Sequence, residues 1–115
     1  MHAFDVLGDP VRRRILEQLA DGEQTAGALT EVIRREFGIS QPAVSQHLRV
    51  LRDSGFAVVR AEGARRHYSL LPGGMRDVDA WLDRLRAAWT GPFAALETEL
   101  ARGRRAARAQ DRRTP

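Results

Sequence analysis

The sequence predicts a mainly α-helical domain carrying one small β-hairpin, and three features of its patterning predict it. In the first half, three short segments repeat apolar residues at helical spacing, each behind a residue suited to cap a helix. From Phe56 the pattern changes to short β-prone runs on either side of a glycine. After Pro72-Gly73-Gly74 the helical pattern returns and runs toward the C-terminus.

The elements follow in order. Asp9 is placed to cap free amides, Pro10 fits the first helical position, and Val11, Ile15, Leu16 and Leu19 form one apolar stripe that Asp21-Gly22 ends. Thr25 caps a second helix whose expected buried face is Leu29, Val32, Ile33 and Phe37, with Gly38 as a left-handed stop. Ser40 caps a third, in which Val44, Leu48 and Leu51 share a face at spacings of four and three, and Gly55 closes it. The runs FAVVRAE and RRHYSLL read as strands joined at Gly63-Ala64, a hairpin with an arginine-rich tip. In the last segment Val78, Trp81, Leu82, Leu85, Ala88, Trp89, Phe93, Leu96 and Leu100 line one side. Gly91-Pro92 is expected to kink or split that helix, because proline lacks the amide the ladder needs. Residues 1–101 are expected to form one domain and 102–115 an arginine-rich, disordered tail.

Composition bounds the function. A chain of 115 residues with 43% hydrophobic content supports one core. Without cysteine there are no disulfides, thiolate metal sites or cysteine nucleophiles. No stretch reaches the roughly 20 apolar residues of a membrane span, and Met1 to Asp9 lacks a basic region followed by an apolar run. The expected location is therefore the cytoplasm, away from membranes. All 19 basic residues are arginine. They are unevenly distributed: net charge is −3 over Met1 to Ile33, +4 over Arg34 to His67, −2 over Tyr68 to Ala101 and +5 from Arg102 onward. Within the expected domain, the positive charge thus sits in one central block.

Helix, tight turn, helix and hairpin is the order of a winged helix-turn-helix, in which the second helix of the pair enters the major groove of duplex DNA. Opposite its apolar stripe, the third helix carries Gln41, Ser45, Gln46, Arg49 and Arg52, with His47 on the flank. Glutamine pairs two-pronged with adenine and arginine with guanine, while serine and helix-terminal amides suit phosphate. Any surface helix shows a polar face, so this pattern gains weight from the hairpin beside it. There Arg60, Arg65 and Arg66 bracket the turn, either as a solvated edge or as a basic ribbon reaching an adjacent groove. Arg34 and Arg35, together with Arg12 to Arg14, are further candidates for phosphate contact.

The stretch VLGDPVRRRILEQLADGE, followed by ISQPAVSQHLRVLRDSGFAVVRAEGARRHYSL, resembles the ArsR family of winged-helix repressors over roughly Phe4 to Leu71. The segment SQPAVSQHLRVLRDSG is its specific part. The resemblance implies a homodimer that binds an operator and usually represses, with a recognition helix starting at Ser40 and a wing spanning Phe56 to Leu71. It implies DNA-facing positions at Gln41, Pro42, Ser45, Gln46, His47 and Arg49, wing contacts at Arg65 and Arg66, and pairing of subunits through their first and last helices.

The chain departs from that family in two ways. It lacks the cysteines, and the paired Asp and His of the last helix, through which many members sense metals. Asp77, Asp79 and Asp83 crowd the start of the last helix, where the helix dipole explains them more simply, so no metal or other cofactor is expected. The second departure, Thr90-Gly91-Pro92, bears on how two copies would pair. Trp81, Leu85, Trp89, Phe93 and Leu96 are the expected dimer interface, with core packing or a small-molecule pocket as the other readings of the aromatics. No Ser-His-Asp order, phosphate loop or paired-carboxylate setting stands out, so catalysis is not expected. The alternatives to a DNA-binding repressor are a winged-helix module that binds protein and a repressor that senses an organic inducer.

Overall fold

The computed structural model describes residues 2–113, without the side chains of 90–95 and 109–113. Its elements are α1 (Ala3–Leu7), α2 (Pro10–Ala20), β1 (Gln24–Thr25), α3 (Ala26–Phe37), α4 (Gln41–Asp53), β2 (Ala57–Glu62), β3 (Arg65–Leu70), a 3-10 turn (Pro72–Met75) and α5 (Arg76–Arg113). No helix among the described residues is long and apolar enough to cross a membrane. The chain divides into two compact units, Met1–Asp79 and Ala80–Pro115.

The caps form as the sequence implies. Asp9 Oδ1 accepts the Val11 and Arg12 amides, Thr25 Oγ1 the Ala28 amide and Ser40 Oγ the Ala43 amide, each replacing a bond that the first helical turn lacks. Gly38 ends α3 in the left-handed region at φ 67°. In the first unit the core gathers Val11, Ile15 and Leu19 of α2, Leu29 and Ile33 of α3, and Val44, Leu48 and Leu51 of α4, with Phe56 and Tyr68 beneath the sheet. Phe37, expected inside, is 38% exposed, since it occupies the last turn of α3 at the margin of that core. Outside the core, Arg14 clasps Glu36 with two hydrogen bonds of 2.8 and 3.0 Å, tying α2 to α3.

The sheet is three-stranded and antiparallel in the order β1-β3-β2. Glu62 pairs with Arg65, which leaves Gly63-Ala64 as a two-residue turn. Gly63 has φ 59° and, among the described residues, only glycines have positive φ, the pattern of a hairpin turn with glycine at its first central position. The two-residue β1 pairs Gln24 with Tyr68 and Thr25 with His67. Like α1, it is too short for periodicity to announce it.

The C-terminal half departs from expectation in part. Of the kink or split expected at Gly91-Pro92, the split does not occur: α5 is one helix through it, since proline removes one amide from the ladder while the turns on either side keep theirs. It also continues through the arginine-rich segment to Arg113, where disorder was expected. Alanine and arginine are both strong helix formers, so a run of them extends a helix already started.

On the sheet, Arg60 donates to Glu23 at 2.7 Å and to Glu62 at 2.9 Å, and Ser69 donates to the other oxygen of Glu23 at 3.2 Å. His67, paired opposite Arg60, lies 3.4 Å from both carboxylates. These contacts fasten both wing strands to the loop before β1. The Arg60 hydrogen bonds hold Glu23 and Glu62 below the usual carboxylate range.

Two outcomes are expected. A depressed carboxylate stabilises the fold above its unfolded value near pH 4.5, and that stabilisation is lost as pH falls through the lower folded value. The melting temperatures of wild type and Arg60→Ala should therefore differ most at neutral pH and converge as pH falls below 4.5; a constant gap would show that the carboxylates do not depend on Arg60. The second outcome concerns Gly74, where a Cβ would sit 2.7 Å from Phe56 Cγ and 2.9 Å from the Gly55 carbonyl. Gly74→Ala should cost about 1–3 kcal/mol in urea unfolding through overpacking, with an unchanged midpoint ruling the clash out.

Candidate nucleic-acid interface

The apolar stripe sets which way α4 faces. Successive helical residues turn by about 100°, so with Val44, Leu48 and Leu51 buried, Pro42, Gln46 and Arg49 come to the opposite side. All three are exposed. Gln41, Ser45 and Arg52 form one flank, and His47, half-buried, forms the other.

The first flank borders a concavity of about 820 Å³ between α3, α4 and β3. Gln41, Ser45, Arg49 and Arg52 line one wall, and Arg34 and Arg35 of α3 line the other. Two segments well apart in the chain thus present four guanidinium groups to one hollow. A second hollow, of about 500 Å³, lies between the wing turn, with Arg65 and Arg66, and the start of α3 at Thr25 to Gly27. No local pattern signals that the α3 N-terminus borders the wing, since the short β1 pairing that brings them together leaves no periodic trace.

Hydrogen bonding sorts the arginines. The side chains of Arg34, Arg49 and Arg65 have no ion-pair or hydrogen-bond partner among the described residues, while Arg35 pairs with Glu31, Arg52 with Asp53, and Arg66 donates to the Gly63 and Arg65 carbonyls. Arg60 is held by its two carboxylates. The triplet Arg12 to Arg14, considered for phosphate contact, is engaged within the fold: Arg12 with the Val6 and Asp5 carbonyls, Arg13 with the Leu7 carbonyl, and Arg14 with Glu36 and Glu17. At the start of α4, Ser40 accepts the Ala43 amide and Pro42 has none to offer. The helix terminus itself therefore has less to give an anion than its sequence position suggests.

Of the expected dimer residues, Trp81 is 40%, Trp89 39% and Leu96 52% exposed, Leu85 is half-buried, and the Phe93 side chain lies outside the described residues. Among the described residues no three histidine or carboxylate side chains are grouped to hold a metal ion.

Comparison with known proteins agrees with this geometry. Residues 7–60 match a family described as a helix-turn-helix domain. Over 98 residues, 84% of this chain and 88% of the other, identity to the HTH-type transcriptional regulator Rv2034 of Mycobacterium tuberculosis is 41%. Identity to the transcriptional repressor SdpR of Bacillus subtilis is 33% over 81 residues, 70% of this chain and 86% of that one. Among solved structures, the ArsR family transcriptional regulator RHA00566 superposes with a TM-score of 0.66 at 28% identity, over 76% of this chain and 87% of its own. With the helix pair, the wing and these relatives in agreement, the chain belongs to the ArsR family of winged helix-turn-helix transcriptional regulators.

Proposed function

We propose that two copies of the chain bind a pseudo-palindromic operator in duplex DNA and repress transcription by occluding a promoter. Each copy lays α4 in a major groove, the two grooves about one helical turn or a small multiple apart. The observation that carries this reading is the outward face of α4, with Gln46 and Arg49 exposed beside a hollow walled by Arg34, Arg35 and Arg52. In this arrangement Gln46 and Arg49 read base edges, Gln41, Pro42 and Ser45 fit the groove wall, and Ser40 holds the helix start. Arg34 and Arg65, without internal partners, take phosphates at least cost, whereas Arg35, Arg52, Arg60 and Arg66 must exchange a partner to do so. The homodimer uses the apolar stripe of α5, including Trp81, Leu85, Trp89, Phe93 and Leu96; exposed tryptophans and leucines on one helix favour a covered interface over a solvated one. The chain acts by binding alone, in the cytoplasm, without catalysis, metal or cofactor.

Fluorescence anisotropy on the duplex upstream of the chain's own gene, with excess non-specific competitor, tests the reading. Competitor-resistant binding that weakens with salt is expected, each phosphate contact adding about 0.9 to the log-log slope. Binding lost entirely to competitor would leave a non-specific or protein-binding module. Arg49→Ala should relax sequence preference by about 1–3 kcal/mol of discrimination, whereas removal of Arg102 to Pro115 should weaken all duplexes alike. Equal loss of preference in both variants would refute this division between reading and anchoring.

A further inference from the structure

Arg12 is engaged on several sides within the first unit, and its side chain is only 12% exposed. Its Nε donates to the Val6 carbonyl and its Nη2 to the Asp5 carbonyl, both at 2.9 Å. These carbonyls belong to the last turn of α1, where the helix leaves its acceptors without intrahelical partners. The third arm, Nη1, lies 3.4 Å from Nδ1 of His47 on α4 and 3.9 Å from Asp9 Oδ2 at the start of α2. One planar group therefore joins α1, the α2 cap and α4, a span that the fork geometry of a guanidinium allows and a single ammonium does not.

We infer that Arg12 is a positioning residue that fixes His47 as the tautomer protonated at Nε2, so that the recognition helix presents a hydrogen-bond donor on its α2-facing flank. A guanidinium has only donors, so the nitrogen it faces must accept, and a neutral imidazole with Nδ1 accepting carries its proton on Nε2. That Nε2 has no partner among the described residues and is not buried, since His67 alone has a buried ring nitrogen lacking a hydrogen bond. Resting on the DNA-binding reading, the further consequence is that His47 donates to an acceptor on the duplex, a phosphate oxygen or a purine N7, and cannot accept from an exocyclic amine. Recognition is thereby narrowed by a residue 35 positions away in sequence that never reaches the DNA.

Long-range 1H–15N correlation spectra of the full chain, labelled with 15N and held at about pH 8, test the first part without any DNA. In the wild type, His47 should show one fixed tautomer with its proton on Nε2. In Arg12→Lys, which keeps the charge and loses the fork, His47 should shift to an averaged tautomer while His2 and His67 stay unchanged. A wild-type His47 protonated at Nδ1, or already averaged, would overturn the assignment whether or not the variant folds. The second part is read on the duplex upstream of the chain's own gene. His47→Gln, whose amide nitrogen falls near the Nε2 position, should bind within about threefold of wild type, and His47→Asn, which reaches only the Nδ1 position, should lose about tenfold. Equal losses in both would overturn the donor role, and absence of wild-type binding would refute the DNA reading while leaving the tautomer result standing.

Discussion

The rotational setting of α4 is fixed by Val44, Leu48 and Leu51, exposed to only 0%, 3% and 0%. Burying an aliphatic side chain of this size is worth about 1.5–3 kcal/mol, against about 1 kcal/mol for a surface hydrogen bond. Turning the helix by one residue would bring two of the three toward water and drive a glutamine or arginine toward the core. Every polar group that α4 shows to solvent is therefore placed by its hidden face. The remainder of the first unit reinforces that choice: α2 and α3 supply Ile15, Leu19, Leu29 and Ile33, and Phe56 closes the floor beneath the 3-10 turn.

The same packing divides arginines that are chemically identical. Those of α2 face elements that offer carbonyls or carboxylates, so Arg12 and Arg13 donate to carbonyls at the end of α1 and Arg14 takes Glu36. Those on the outer side of α3, α4 and the wing turn meet fewer acceptors, and Arg34, Arg49 and Arg65 meet none among the described residues. An arginine already hydrogen-bonded within the fold must give up that bond to meet a phosphate. The central excess of positive charge is accordingly uneven: part of it holds the wing and the helices together, and part remains open beside α4.

The wing shows how local and long-range terms combine. Gly63 sets the turn and the strand register through Glu62 and Arg65. The turn alone would leave a two-stranded ribbon, which is marginally stable in water. Pairing of β3 with β1 and the ion pairs from Arg60 to Glu23 and Glu62 attach the ribbon to the loop after α2, so that its tip borders the start of α3.

By itself the sequence determined the helix starts, the hairpin turn and the buried stripe of α4, because caps, glycines and 3.6-residue periodicity are written over a few neighbouring positions. The solvent-facing side of α4 followed from that stripe, with Gln46 and Arg49 opposite the core and Gln41, Ser45 and Arg52 on one flank. The tertiary structure alone decided which arginines are engaged within the fold, that Arg34 and Arg35 share a hollow with α4, that β1 joins the sheet, and that Arg12 meets His47. Those contacts join residues far apart in the chain, and no local pattern records them. The continuity of α5 through Pro92 to Arg113 was likewise not legible: the sequence shows one missing amide and many charges, and the helix holds because its neighbouring turns and the propensity of alanine and arginine outweigh both.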